Sequence, residues 1–506
     1  MPDSTKDSAL EEICPTGLRG LDDIIAGGLP SNCFYLIQGD PGSGKTTLAL
    51  QFLFEGRARG EAVLYITLSE AKDELERVAS SHGWSLDGIP LLEFSAIETL
   101  LQPESQTTVF HASELELTKV SQLLKQEIAK HRPKRVVFDS LSEFRLLAET
   151  PLRYRRQLLN LKHELSRQGT TVLLLDDKMD SNRIGSDPHV LSLTHGVIEM
   201  EQLSPDYGKS RRRLRVMKMR GVRFTEGYHD YIIDTGGIQV FPRLVASEHH
   251  TTFKRESVSS GCPPLDALLS GGLDRGTTTL IMGPAGTGKS TLALQYARSM
   301  AERGEKSLLF TFDETRATTL ARAEALAMGL DHYIPDKTVQ IEQLDPAEIS
   351  PGEFAGRIQA GVVDQGAKLV VIDTLNGYLN AMPGEKYLAN QLHELSAYLN
   401  QQGILTIFTL AQHGVVAALD APVDISYLAD TVISLRFFEA AGAMKKAIAV
   451  IKKRSGQHEQ TIREFALVSG QGVRIGEPLT QFQGVLSGSP IFRGPEDQIM
   501  RHSHGK

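Results

Sequence analysis

The stretch Gly39-Asp40-Pro41-Gly42-Ser43-Gly44-Lys45-Thr46 decides how the chain is read. A glycine, four free positions, then Gly-Lys-Ser/Thr is the pattern of a loop that wraps phosphates. Its glycines let consecutive backbone N–H groups curl around the β- and γ-phosphates with no Cβ in the way. The lysine carries a mobile positive charge to the terminal phosphates, and the hydroxyl after it can ligate Mg²⁺. The pattern returns 244 residues later as Gly283-Pro284-Ala285-Gly286-Thr287-Gly288-Lys289-Ser290. Apolar runs 33–37 and 278–282 precede the two loops, and helix-forming runs starting at Leu48 and Leu292 follow them. Each context is strand, loop and helix, and the helix N-terminus adds a positive dipole end. One match could be a chance glycine-rich turn; two in matching contexts are not. Bound nucleoside triphosphate is expected twice, on Gly39 to Thr47 and on Gly283 to Thr291.

The repeat extends well beyond the loops. Gly27-Gly28-Leu29 and Gly271-Gly272-Leu273 keep the same 244-residue offset, as do Glu70 and Glu314 at two further strand ends. The runs Arg135 to Ser140 and Leu369 to Thr374 place Asp139 and Asp373 at an offset of 234, which Arg220 and Arg454 share. Ten residues were therefore lost in a variable loop between the two registers. A period this long marks a tandem duplication of a whole domain, not a solenoid. In each copy an amphipathic helical stretch stops at a glycine, Gly169 or Gly403, before a nearly continuous apolar run, 171–175 or 404–410. That pattern implies a parallel sheet covered on both faces. The expected fold is α/β, with two tandem domains, 1–247 and 248–506, each a mostly parallel sheet flanked by helices. Each ends in shorter alternating strands, and the join falls in the polar stretch between Pro242 and Ser257.

Composition sets outer bounds. With 506 residues, 41% hydrophobic and 23% charged, the chain can bury two large cores. A net charge of −8 and a pI near 6.0 give no overall electrostatic reason to expect nucleic acid. Cys14, Cys33 and Cys262 lack metal-type spacing and read as reduced thiols. Residues 1–7 do not resemble a secretory signal, and no apolar stretch approaches a membrane span. A cytoplasmic protein without a membrane partner is expected.

Asp139 and Asp373 stand at strand ends behind the phosphate loops, where a carboxylate can hold Mg²⁺ through water, the neighbouring Ser140 or Thr374 helping, alongside the hydroxyl of Thr46 or Ser290. A helix-capping acid is the plain alternative, and its recurrence behind both loops favours the metal. Glu70 and Glu314 are candidates to orient or deprotonate the attacking water or hydroxyl; a surface acid is again the alternative. The basic run Arg211 to Arg220 admits three readings. It could be a nucleic-acid stripe, though it lacks interleaved aromatics; it could be a solvated face; or it could be a strand presenting Lys218 and Arg220 to a phosphate across a subunit interface. Lys452 and Arg454 repeat that pair, with Arg463 nearby.

From Gly17 to Pro490 the chain resembles the KaiC family of double-domain RecA-like ATPases, which are circadian clock proteins. The resemblance rests on both phosphate loops, Phe138-Asp139-Ser140, Ile372-Asp373-Thr374, Lys218-Met219-Arg220-Gly221, Ile462 to Phe465 and Ser487 to Pro490. It implies ATP and Mg²⁺ at the subunit interfaces of a double-ring homohexamer. It also implies a slow N-terminal ATPase, a C-terminal domain that phosphorylates its neighbour, and a KaiB-like partner. By that alignment the acceptor pair is Ser426-Tyr427, with Tyr427 standing where the family has threonine. Further departures are Ala421 at a third hydroxyl position, Gln460 at a lysine position, and Ser69-Glu70 and Asp313-Glu314 at the family's glutamate pairs. The residues after Pro490 are fewer than in the family's segment for the activator KaiA, so no KaiA-type activator is expected. Alternatives on the same fold are a nucleic-acid motor or recombinase, and an ATP-gated scaffold with little kinase activity.

Overall fold

Each phosphate loop follows the central strand of a nine-stranded sheet, so the fold places it at the middle of one sheet edge. The computed structural model describes residues 12–93, 112–148, 150–178, 188–205, 208–345, 347–380, 388–412, 427–440, 442–486 and 491–492, without the side chains of 112–121, 188, 189 and 380. The chain divides into two compact units, 1–243 and 244–506.

In the first unit the sheet runs, edge to edge, Leu91–Glu93, Val63–Thr67, Arg135–Asp139, Thr171–Asp177, Phe34–Gly39, Gly196–Leu203, Arg211–Met219, His229–Asp234 and Gly237–Phe241. Its first six strands are parallel and the last three antiparallel. The second unit repeats this order: Val339–Gln343, Ser307–Thr311, Leu369–Asp373, Leu405–Ala411, Thr278–Gly283, Thr431–Ala440, Ala443–Lys453, Arg463–Val468 and Gly472–Pro478. These are the two tandem, mostly parallel α/β domains expected from the repeat, and their strand order agrees with the RecA-like fold that the resemblance implies.

The central strands are apolar throughout because both faces are covered. Tyr35 and Ile37 point to the side of the helix Lys45–Ala58, packing with Leu48 and Phe52. Phe34 and Leu36 point to the other side, among Tyr154, Leu158 and Leu161 of the helix Pro151–Arg167. That helix, the amphipathic stretch read before Gly169, starts at Pro151. Thr150 caps it by accepting the Arg153 N–H, and Pro151 supplies a preset φ at the first helical position.

His229 opens one of the antiparallel strands and is fully buried. Its Nε2–H donates to Thr225 O at 3.0 Å, and its Nδ1 accepts the Arg243 N–H at 2.9 Å, so the ring is neutral. Burial lowers its pKa from the usual 6.5 to about 4, and the charge of Arg243 adds to that. The unfolded chain thus takes up this proton first. The contribution of His229 to stability is complete above pH 6.5 and is lost as pH falls towards 4, by about 2 kcal/mol at pH 5. His229→Asn is expected to flatten the fall of the first unit's thermal midpoint between about pH 7 and 5. Parallel pH curves for the two proteins would contradict this.

Candidate functional site

Gly44 and Gly288 stand immediately before the two phosphate-loop helices with φ of 92° and 107°, a region open to glycine. A Cβ on Gly39 would lie 2.4 Å from Met200 O, and one on Gly283 would lie 2.2 Å from Leu435 O. Both loops are backbone cradles that admit no side chain at these points. Inside the first, Lys45 Nζ donates to Gly39 O at 3.0 Å and Asp40 O at 3.1 Å, and lies 2.9 Å from Asp177 Oδ1. In the second, Lys289 Nζ donates to Pro284 O at 2.9 Å, and burial lowers its pKa.

The strand-end aspartates are buried beside these lysines, and that burial lifts both carboxyls above the usual range. Asp373 accepts a hydrogen bond from Ser290 Oγ at 3.0 Å and another from Thr409 Oγ1. Asp139 instead accepts from Tyr65 Oη at 2.6 Å. The two copies supply the second partner from different strands. Where the first has Tyr65 and Leu175, the second has Leu309 and Thr409 at the same register. Both carboxylates are held, each by its own solution. The oxygen pairs Thr46 with Asp139 and Ser290 with Asp373 are the hard donors Mg²⁺ takes.

The two glutamates differ more. Burial raises the Glu70 carboxyl to about 7, the nearby charge of Asp139 adds to this, and Lys45 and Thr46 offset part of it. Its Oε2 is buried without a hydrogen-bond partner. Glu314 is gripped by Arg322, at 2.8 Å from Nη1 and 2.7 Å from Nη2, with Thr319 Oγ1 at 3.3 Å. Its neighbour Asp313 accepts from Thr374 Oγ1.

Lys218 and Arg220 lie towards the opposite end of the sheet from the loop. Lys218 pairs with Val197 and Met219 with Gly196, and Gly196 pairs with Tyr35 near the start of the phosphate-loop strand. Lys218 Nζ donates to Leu191 O and Thr194 O, each at 2.7 Å, which leaves one N–H for another acceptor. Lys162, His195 and Lys218 all have lowered pKa values; burial comes first, and the Arg220 charge contributes to each. In the second unit the register of His195 is taken by Asp430, 3.8 Å from Arg454, while Lys452 Nζ donates to Ala429 O at 2.7 Å. Arg463 does not join Arg454. It pairs with Ile448 and is held by Glu459 at 2.8 Å. Five residues of strand separate Ile448 from Lys453, about 17 Å.

Two arginines of the remaining basic run are paired with acids of the adjacent strand. Arg213 reaches Glu201 at 2.9 Å and Arg215 reaches Glu199 at 2.6 Å, and both stack on Tyr228. This gives no support to a nucleic-acid stripe. Among the described residues no helix is long and apolar enough to cross a membrane.

A sequence profile described as "ATPase: KaiC" matches residues 14–245 and again residues 258–480. The chain belongs to the KaiC ATPase family. Relatives include proteins named circadian clock oscillator protein KaiC. One from Prochlorococcus marinus (strain SARG) is 26% identical over 500 residues, 96% of each chain. The one from Synechococcus elongatus is 27% identical over 485 residues, 94% of this chain and 91% of that one.

Sequence reasoning missed the far wall of this KaiC-family site. Ile233 Cδ1 and Ile238 Cδ1 close over Gly44, and Phe465 and Leu467 close over Gly288. His82 bridges Thr47 Oγ1 at 3.4 Å and Asp234 O at 2.9 Å. A flat apolar base beside a polar edge fits such a wall. Its only sequence signal was that these strands repeat in both copies. Of the acceptor pair, Ser426 lies outside the described residues. Tyr427 is half exposed, and its carbonyl accepts from Arg454 Nη2 at 3.1 Å.

Proposed function

We propose that this KaiC-family ATPase hydrolyses Mg-ATP at two sites per chain, each completed by a neighbouring copy in a homohexamer, and that its C-terminal domain phosphorylates itself. The observation that supports this best is the position of the cations around Lys218. Lys218 and Arg220 sit about 10 and 15 Å along the strands and two strands sideways from their own loop, with mutual repulsion among Lys162, Lys218 and Arg220. A cation cluster this far from its own phosphates is suited to the phosphates of another copy.

In this reading Gly39 to Thr47 and Gly283 to Thr291 hold the phosphates, and Lys218 and Lys452 approach from the neighbour. Thr46 with Asp139, and Ser290 with Asp373, would hold Mg²⁺, which supplies neutralising charge on the transferring phosphoryl group. Glu70 orients or deprotonates the attacking water, its free Oε2 ready to accept a proton. Glu314 does so for a hydroxyl once Arg322 lets go. Arg220 and Arg454 stabilise charge on the transferring group. Arg463, separated from Arg454 and held by Glu459, carries no part of this proposal. The relatives' name suggests a timing or signalling role, and the family resemblance implies a KaiB-like partner.

The test is intact-mass measurement after incubation with Mg-ATP, followed by peptide mapping. A tyrosine hydroxyl is longer and more rigidly held than serine's, and a misplacement of an ångström costs about a hundredfold. Phosphate is therefore expected on Ser426 with little on Tyr427, and Glu314→Gln should strongly reduce it. Phosphate on Tyr427 alone, or none after long incubation, would contradict the autokinase reading.

A further inference from the structure

Asp177 ends the strand beside the first phosphate loop. It pairs in register with Gly39, and the next N–H, that of Lys178, donates to Gly39 O at 3.1 Å. Its backbone is therefore fixed to the loop it faces. The Lys45 ammonium donates to the carbonyls of Gly39 and Asp40 at 3.0 and 3.1 Å and forms an ion pair with Asp177 Oδ1 at 2.9 Å. A phosphate approaching this lysine meets a carboxylate already at the donor it needs.

The second unit lacks that carboxylate. Gly283 pairs with Ala411, and the Gln412 N–H donates to Gly283 O at 3.1 Å, so the backbone arrangement is the same. Among the described residues the Lys289 ammonium makes one hydrogen bond, to Pro284 O, with no acid within ion-pair distance.

We propose that Asp177 is a specificity-determining residue of the first site, a carboxylate built into the fold that competes with the terminal phosphate for Lys45. The inference rests on Gly39 to Thr46 being a nucleotide site. Asp177 is half exposed and 2.9 Å from the Lys45 ammonium, the group that meets the terminal phosphate in this reading, so its repulsion would act most on the outermost phosphate. It weakens triphosphate more than diphosphate, and it makes the first site the weaker of the two. A purely structural acid at this strand end predicts the opposite, because its loss would loosen the loop and weaken all nucleotides.

The experiment uses the full chain and a fluorescent, non-hydrolysable ATP analogue with Mg²⁺, and assigns the first-site binding class by its loss in Lys45→Ala. Asp177→Asn and Asp177→Ala are expected to tighten that class about tenfold, with a smaller gain for the diphosphate analogue. The reciprocal change Ala411→Asp should weaken the other class by a similar factor. Unchanged or weaker first-site affinity in both Asp177 variants, with Ala411→Asp silent, would overturn the inference. If the native chain had no Lys45-dependent class at all, the reading of the loop as a nucleotide site would fall, and the inference with it.

Discussion

Lys289→Ala is expected to abolish phosphate incorporation, and Lys45→Ala to remove most ATP hydrolysis, with nucleotide affinity at the affected site falling at least about a hundredfold in each. Among the described residues the ammonium is the only mobile cation inside each cradle. Water in its place carries no charge to the phosphates. The two losses should differ in kind. Lys289 is almost fully buried, and desolvation lowers its pKa more than the nearby Asp373 raises it, so a phosphate adds the charge that burial leaves under-compensated. Lys45 shares its charge with Asp177, so part of its attraction is spent before any phosphate arrives. Equilibrium binding to each variant, paired with intact mass after Mg-ATP, separates the sites. Undiminished phosphate incorporation in Lys289→Ala would contradict the division of labour.

Arg220→Ala is expected to slow hydrolysis at the first site about a thousandfold while changing nucleotide affinity there only severalfold, because charge on the transferring phosphoryl group peaks in the transition state. Arg220 is exposed, its backbone N–H is fixed to His195 O at 2.9 Å, and its side chain contributes to the lowered pKa of three neighbouring groups. Its removal therefore relieves repulsion within its own chain, and among the described residues it breaks no ion pair that would account for a loss of turnover. An equal loss of affinity and turnover would assign it to plain binding instead.

The parts legible in the sequence were those whose chemistry needs fixed residue types at fixed spacing. The phosphate loops, the strand-end aspartates and the order of helix, glycine and strand all belong to that class, and the repeat multiplied the signal. The side-chain partners were not legible, because strand pairing joins residues far apart in the chain. Tyr65 meets Asp139, and Lys45 meets Asp177, with no local pattern to announce either. Arg463 shows the reverse error. It stands nine residues after Arg454 in sequence, but the chain reverses between their strands and carries it back up the sheet to Ile448. The Glu314–Arg322 pair joins a residue of the turn before the helix Arg316–Ala325 to one inside it, eight positions on, a spacing that no helical pair rule announces.

The central claim is that each site is completed by another copy, and subunit mixing tests it most directly. Lys45→Ala and Arg220→Ala proteins, each defective alone, are combined before Mg-ATP is added. Random mixing leaves about a quarter of first-site interfaces with both native residues, so hydrolysis should rise well above the sum of the two proteins assayed separately. No rise on mixing, together with a native chain that hydrolyses at full rate as a monomer in light scattering, would contradict it.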